Sequence, residues 1–361
     1  HCHTRRQRQM CIRDSPNHMV KNLYIVTPRG FCAGVEMAIK ALTWMLKIYD
    51  ETIYCYHEIV HNDWIVERFK NKNIKFIEST EELPEKAVLM LSAHGTAPDV
   101  ENQFSSISSI QVNAVCPLVT KVHHEAKKFT EAGQKIIYVG HKNHDEAIGA
   151  LGVAPESMFL VEKEEDLDQL DILNEDVALL AQTTLAMSEW EPIMDSAREK
   201  YPELNMPRKS DLCYATTNRQ EAVINVSSFV DVVLVVGSDT SSNTKALVST
   251  IQNLGKESYR INTTHEIDNL DLYGKNVAVT AGASAPDHIV QEIIKKLEPE
   301  KTEFFENTNE TEYFPLPKEL RSNITSVSNF LLSIFPDNNV EPIRSINKDR
   351  QWSATEALSS L

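Results

Sequence analysis

Short apolar runs rich in β-branched residues recur along the chain: LYIV at 23–26, TIYCY at 52–56, AVLML at 87–91, VNAV at 112–115, KIIYVG at 135–140, MFLV at 158–161, VALLA at 177–181, VVLVVG at 232–237 and NVAVTAG at 276–282. Between them lie longer stretches with apolar residues at helical spacing, such as EMAIKALTWMLKIY at 36–49 and NTKALVSTIQNLG at 243–255. Strand-length runs alternating with helices predict repeated βα units and largely parallel sheets. The stretch 300–323 breaks the alternation and reads as an extended closing segment. Beyond Val327 the periodicity fades, which predicts a flexible tail.

Length sharpens this picture. A chain of 361 residues exceeds one ordinary core and predicts two or three domains, and 42% apolar residues suffice to fill them. The expected division is a leader at 1–19 outside the fold, three α/β domains at 20–116, 117–212 and 213–327 around a shared centre, and the tail at 328–361. The formal net charge of −16 argues against nucleic acid or an anionic membrane as partner, because phosphate surfaces are gripped by clustered Lys and Arg. No apolar run is long enough to span a bilayer, and the leader lacks the apolar stretch of a secretory signal. Six widely spaced cysteines suit a reducing compartment, with the cytoplasm as the expectation, better than a disulfide framework.

Three of those cysteines carry the candidate chemistry. Cys32, Cys116 and Cys213 each stand where an apolar run meets a helical pattern, in GFCAGVEMAIKAL, VNAVCPLVTKVHHEAKKF and SDLCYATTNRQEAVINV. N–H groups in a helix's first turn lower a thiolate's pKa, and three thiols presented this way can converge on one metal centre. Two chemistries remain open: zinc with three protein ligands keeps one position free for substrate, and an iron–sulfur cube on three Cys leaves one iron without a protein ligand. Three unrelated buried thiols are the bland reading. Cys55, inside TIYCY, reads as a small buried hydrophobe, and Cys2 and Cys11 fall in the leader.

Polar groups cluster after the strands, where ligands gather in open α/β sheets. His61 follows TIYCY, and His94 follows AVLML. His141, His144 and Glu146 follow KIIYVG, and Gln182, Thr183 and Thr184 follow VALLA. Ser241, Ser242 and Asn243 follow VVLVVG, and Ser284 follows NVAVTAG. His, Ser and Asn donors beside helix starts make a phosphate-sized anion site in an acidic protein. Glu146, beside His144 and near the threonines, is a candidate proton donor. HKNHDEAIG does not have the HExxH spacing of a zinc protease. Of the adjacent pair His123 and His124, at least one must face away; His57 reads as a residue that orients its loop.

Taken together, PRGFCAGV, EIVHN, SAHG, AVCPLVTKVH, GHKNHDE, QTTL, CYATTNRQEAV, VVGSDTSSN and TAGASAPD closely resemble the motifs of the 4-hydroxy-3-methylbut-2-enyl diphosphate reductase family, from Leu23 to Leu320. The resemblance implies a trefoil of three α/β domains around one [4Fe–4S] cluster per chain, held by Cys32, Cys116 and Cys213. It implies diphosphate binding by His61, His94, His144, Ser241, Ser242, Asn243 and Ser284, with Glu146 as proton donor and Thr183 on the substrate hydroxyl. The implied reaction is reductive dehydroxylation of the allylic diphosphate to isopentenyl and dimethylallyl diphosphates, with a donor such as ferredoxin or flavodoxin. Asp145 stands where this motif frequently carries Pro, and its adjacency predicts a perturbed acidity at Glu146. The rival readings are a zinc hydrolase of a phosphorylated metabolite and a redox- or iron-sensing module.

Overall fold

The computed structural model describes residues 19–334 and 346–361. Its strands form three sheets, all parallel. The first, in the order β3–β2–β4–β5, holds β2 (Ile53–Tyr56), β3 (Ile74–Ile77), β4 (Val88–Leu91) and β5 (Ile110–Asn113); the second, β7–β6–β8, holds β6 (Lys135–Val139), β7 (Met158–Val161) and β8 (Val177–Ala181). The third, β10–β9–β11–β1–β12, holds β1 (Asn22–Thr27), β9 (Val232–Val236), β10 (Glu257–Ile261), β11 (Asn276–Ala281) and β12 (Lys301–Glu306). The helices are α1 (Ala33–Ile48), α2 (Asp63–Lys70), α3 (Pro98–Ile107), α4 (Pro117–Glu131), α5 (Asp145–Leu151), α6 (Met187–Lys200), α7 (Tyr214–Ser227), α8 (Ser242–Asn253), α9 (Asp287–Leu297), α10 (Lys318–Ile334) and α11 (Ala354–Ser359). Parallel strands need crossovers, and helices packed on the sheet faces bury the inner strands; every residue of β8 and β9 is buried, whereas the edge strand β12 has none buried.

The internal symmetry suspected from the sequence is visible in this topology. In each sheet the second strand of the unit lies outside the first, and the third lies on its other side. A short 3₁₀ turn precedes the third strand every time: Thr80–Glu82, Glu164–Gln169 and Thr264–Asn269. Its acidic third residue accepts the N–H three residues back, Glu82 from Ser79, Asp166 from Lys163 and Glu266 from Thr263, each at 3.1 Å.

Two segments depart from the linear division read from sequence. β1 falls within 20–116, yet it pairs with β11 (Leu23 opposite Val277) and with β12 in the sheet of the last unit. Helix α1 then leaves that sheet, and Ala38, Leu42 and Met45 pack into the core of the first sheet with Ile53, Val88 and Met90. The chain therefore ties the first and third units together at the β1–α1 junction, where Cys32 sits. The second departure is the tail. Ala354, Ala357 and Leu358 of α11 are buried in the same core cluster, so 346–361 is packed rather than flexible. Of the expected leader at 1–19, residues 1–18 lie outside the described residues, as does the tail portion 335–345, while Met19 packs against the core of the third sheet. Among the described residues, no helix is long and apolar enough to cross a membrane.

Candidate functional site

Loops at the carboxyl ends of strands from all three sheets surround one cavity of about 110 Å³. Cys32, Cys116 and Cys213 are the N-cap residues of α1, α4 and α7. Each is fastened by the same backbone bond, its N–H donating to the second residue past a strand end: Cys32 to the Ala283 carbonyl at 3.1 Å, Cys116 to Ala93 at 3.0 Å, Cys213 to Thr183 at 2.9 Å. The cavity is lined by these three thiols and by His61, His94, His144, Glu146, Thr183, Ser241, Ser242, Asn243 and Ser284, so it gathers every residue to which the resemblance assigns a role, whereas His141 and Gln182 do not line it. Gly34 is required by close approach: a Cβ there would meet Cys116 Sγ at 2.9 Å and lie 3.9 Å from Cys32 Sγ.

Cys116 and Cys213 are not acidified as their helix starts suggested. Burial pushes Cys116 up to about 12, with nearby Cys32 adding to the rise; the Leu118 and Val119 N–H groups oppose it and lose. Cys213 is raised for the same reasons, burial first and then Cys32 and Cys116. Three soft donors crowded together without a counter-charge are what a metal centre would relieve. Three thiol donors on one cavity suit either zinc or an iron–sulfur cluster. Cys55 lies apart, fully buried in β2, its thiol raised by burial.

The first and second units supply the ionisable groups. Asn143 takes a left-handed φ of 73°, which that side chain tolerates, and turns the chain so that His144 caps α5. His144 Nδ1 accepts the Glu146 N–H at 3.2 Å, which assigns the ring proton to Nε2, a buried atom without a partner. His61 Nε2 and His94 Nε2 are likewise buried and unpartnered; the His61 and His94 rings stack at 4.0 Å, and the His144 ring lies 5.2 Å from His61, edge-on. Burial and the neighbouring histidines hold His94 well below the ordinary range and His144 at about 3, so both are neutral before any anion arrives. Glu146 accepts the Thr183 N–H at 2.7 Å and the Thr183 hydroxyl at 3.0 Å. Burial nevertheless raises its carboxyl to about 7, with the two Thr183 bonds pulling down and Asp211 pushing up. Asp145 contributes differently from expectation. Its oxygens lie 3.8 Å from His57 Nδ1 and 4.0 Å from His61 Nε2.

The third unit supplies neutral donors. Ser241 caps α8, accepting the Thr244 N–H at 3.3 Å. Asn243 is held on both sides, donating to Thr216 Oγ1 at 3.2 Å and accepting the Ala283 N–H at 3.1 Å; Ser284 donates to the His61 carbonyl at 3.0 Å. Gln182 pins the second-unit loop by accepting the His141 N–H and donating to Thr184. Thr216 was missed by sequence reasoning although it lies three residues after Cys213, one helical turn on, in a motif already singled out. His57 does orient its loop, pairing with Glu78 at 2.7 Å, and His141 faces Glu189 at 3.5 Å. His123 is half-buried and held at about 4 by burial, whereas His124 is exposed. A wider opening of about 570 Å³, lined by elements of all three units, shares His61, His144 and Ser242 with the cavity and gives access to it.

Comparison with known proteins agrees with this geometry. The family model described as LytB protein matches residues 23–298. The 4-hydroxy-3-methylbut-2-enyl diphosphate reductase of Rhodopirellula baltica is 40% identical over 310 residues, covering 83% of this chain and 96% of that protein. That of Pectobacterium carotovorum is 40% identical over 313 residues, covering 84% and 99%. The solved structure of the E-1-hydroxy-2-methyl-but-2-enyl-4-diphosphate reductase from Plasmodium falciparum superposes with a TM-score of 0.81 at 32% identity, over 85% of this chain and 99% of that one. Another solved (E)-4-hydroxy-3-methyl-but-2-enyl diphosphate reductase, described as the terminal enzyme of the non-mevalonate pathway, gives 0.57 at 30% identity over 77% and 99%. On the match to most of its length and on relatives of this identity, the chain belongs to the LytB family of 4-hydroxy-3-methylbut-2-enyl diphosphate reductases.

Proposed function

We propose that this chain reductively removes the hydroxyl of 4-hydroxy-3-methylbut-2-enyl diphosphate, releasing isopentenyl and dimethylallyl diphosphates, as the terminal step of the non-mevalonate route. The observation that carries the reading is one small cavity lined jointly by three cysteine thiols, three histidines with unpartnered Nε2 atoms and a carboxyl of raised pKa. Cys32, Cys116 and Cys213 would hold a [4Fe–4S] cluster, which would relay the two electrons one at a time from an external donor and lend Lewis acidity toward the substrate's hydroxyl oxygen. The remaining chemistry belongs to the chain.

His61, His94, His144, Ser241, Ser242, Asn243 and Ser284 would bind the diphosphate. A polyanion entering the cavity gives the unpartnered Nε2 atoms an acceptor and opposes the burial that keeps His94 and His144 neutral. That remote binding fixes the position of the reacting carbon. Loss of the hydroxyl as water consumes two electrons and two protons. Glu146, protonated below about pH 7, delivers a proton to the departing oxygen. The Thr183 hydroxyl, bonded to Glu146, aligns the substrate hydroxyl with that acid. A soluble one-electron carrier such as ferredoxin or flavodoxin would supply the electrons, and the free thiols suit the cytoplasm.

Anaerobic purification followed by metal and sulfide analysis tests the reading. About four irons and four sulfides per chain, together with substrate turnover under a chemical reductant, are expected. Colourless zinc-loaded protein would return the zinc hydrolase, and a cluster without turnover would return the sensor.

A further inference from the structure

Glu36, Lys40, Trp44 and Lys47 share one face of α1, at spacings of four, four and three residues, beginning one turn after Cys32. Residues 346–361 cover that face from end to end. Burial raises the Glu36 carboxyl, with Lys40 and the Ala354 backbone pulling it back down. Lys40 donates to the Asp349 carbonyl at 2.9 Å and lies 3.3 Å from Asp349 Oδ1, and the other carboxylate oxygen of Asp349 accepts the Tyr313 hydroxyl. The Trp352 ring packs edge-on against Trp44 at 5.7 Å, with the Lys47 ammonium 5.9 Å from the Trp352 ring centre. Ala354, Ala357 and Leu358 complete the core under α1, and Arg68 of α2 donates twice to the Leu358 carbonyl, at 2.6 and 3.0 Å. The covering segment 346–361 lies beyond the 23–298 stretch that the family model matches, whereas the α1 face it covers lies within it.

A buried ammonium is tolerated only while its partner is in place. Without residues 346–361 the polar and aromatic face of α1 would lose its packing and open to water, and with Asp349 changed to Asn the Lys40 side chain would stay covered without its carboxylate, two turns from Cys32. We infer that residues 346–361 form a clasp that fixes α1 on the first sheet and thereby positions Cys32, with Lys40 and Asp349 as its central contact. The effect on Cys32 as a ligand rests on the proposed cluster; the hold on α1 does not.

Amide hydrogen exchange on the metal-free chain, paired with the rate of iron loss to a chelator and the visible spectrum of the anaerobic holoprotein, separates these parts. Relative to the full chain, truncation after residue 345 and Asp349→Asn should each speed exchange in α1 about tenfold or more, leaving β6–β8 unchanged. Iron loss should quicken several-fold. Lys40→Met/Asp349→Asn should recover much of the protection, because no charge is stranded. Unchanged α1 exchange, or loosening shared equally by the second sheet, overturns the clasp. If the truncated chain does not fold, a double variant no better protected than Asp349→Asn overturns it instead. Faster α1 exchange with an unaltered spectrum and rate of iron loss supports the clasp and overturns its action on Cys32.

Discussion

Lys40 and Glu146 are each 2% exposed, and the molecule treats them in opposite ways. Lys40 meets the carbonyl and carboxylate of Asp349. Glu146 meets only the neutral donors of Thr183 and has no cation beside it, so burial raises it to about 7. The histidines around Glu146 follow the same pattern, with Nε2 atoms left unpartnered. Matched burial holds two parts of a fold together, whereas unmatched burial stores interaction free energy that a ligand or a transferred proton can release. Substitution in the two regions should therefore give opposite signatures: lost chemistry at the cavity, lost order at the clasp.

The largest expected effect is at the thiols. Cys116→Ser should abolish most iron and sulfide content and, with it, activity, because an alcohol oxygen is a poor substitute for thiolate on iron. Cys55→Ser, in the apolar core, should retain both, and full iron in the first variant would sink the ligand assignment. Next comes Glu146→Gln, expected to keep the cluster and bind substrate while turnover falls on the order of a hundredfold or more. In the parent enzyme, turnover should decline as pH rises through about 7, since the raised carboxyl is a competent donor only below that value. A flat profile from pH 6 to 8 with chemistry rate-limiting would assign the proton to another group. The smallest effect is at the neutral donors: Ser242→Ala/Asn243→Ala should weaken diphosphate affinity by roughly tenfold, the worth of one or two hydrogen bonds to a charged group, with the visible spectrum unchanged. Wild-type affinity by calorimetry would return both residues to capping and loop support.

Much of this arrangement is legible in the chain because it is local. β-Branched runs become strands, and the residues just past them fall at sheet ends, which is why the cavity set from Cys32 to Ser284 can be named before the fold is known. The pairing of β1 with β11 and β12 joins residues more than 250 positions apart and has no local signature. The tail is obscure for a related reason. α11 spans six residues and carries only the Ser353–Glu356 capping box as a signal, so its order depends on tertiary contacts. Thiol acidity was misread through a question of magnitude: the helix-start N–H groups act as expected, but burial and neighbouring thiols outweigh them. The threefold repeat hides in one acid three residues after a cap, a spacing that survives where identity does not.

Denaturant unfolding of the metal-free parent chain and of Glu146→Gln between pH 4.5 and 8 tests the contrast between matched and unmatched burial most directly. Below about 4.5 the carboxyl is protonated folded or unfolded and costs nothing. Between 4.5 and 7 the unfolded chain releases the proton and the folded chain holds it, so the parent loses stability as pH rises, by an amount on the order of 3 kcal/mol that is complete above 7. Glutamine carries no such proton. The account predicts that Glu146→Gln is the more stable chain at pH 8 and that its advantage disappears toward pH 4.5; a variant less stable than its parent at pH 8 would contradict it.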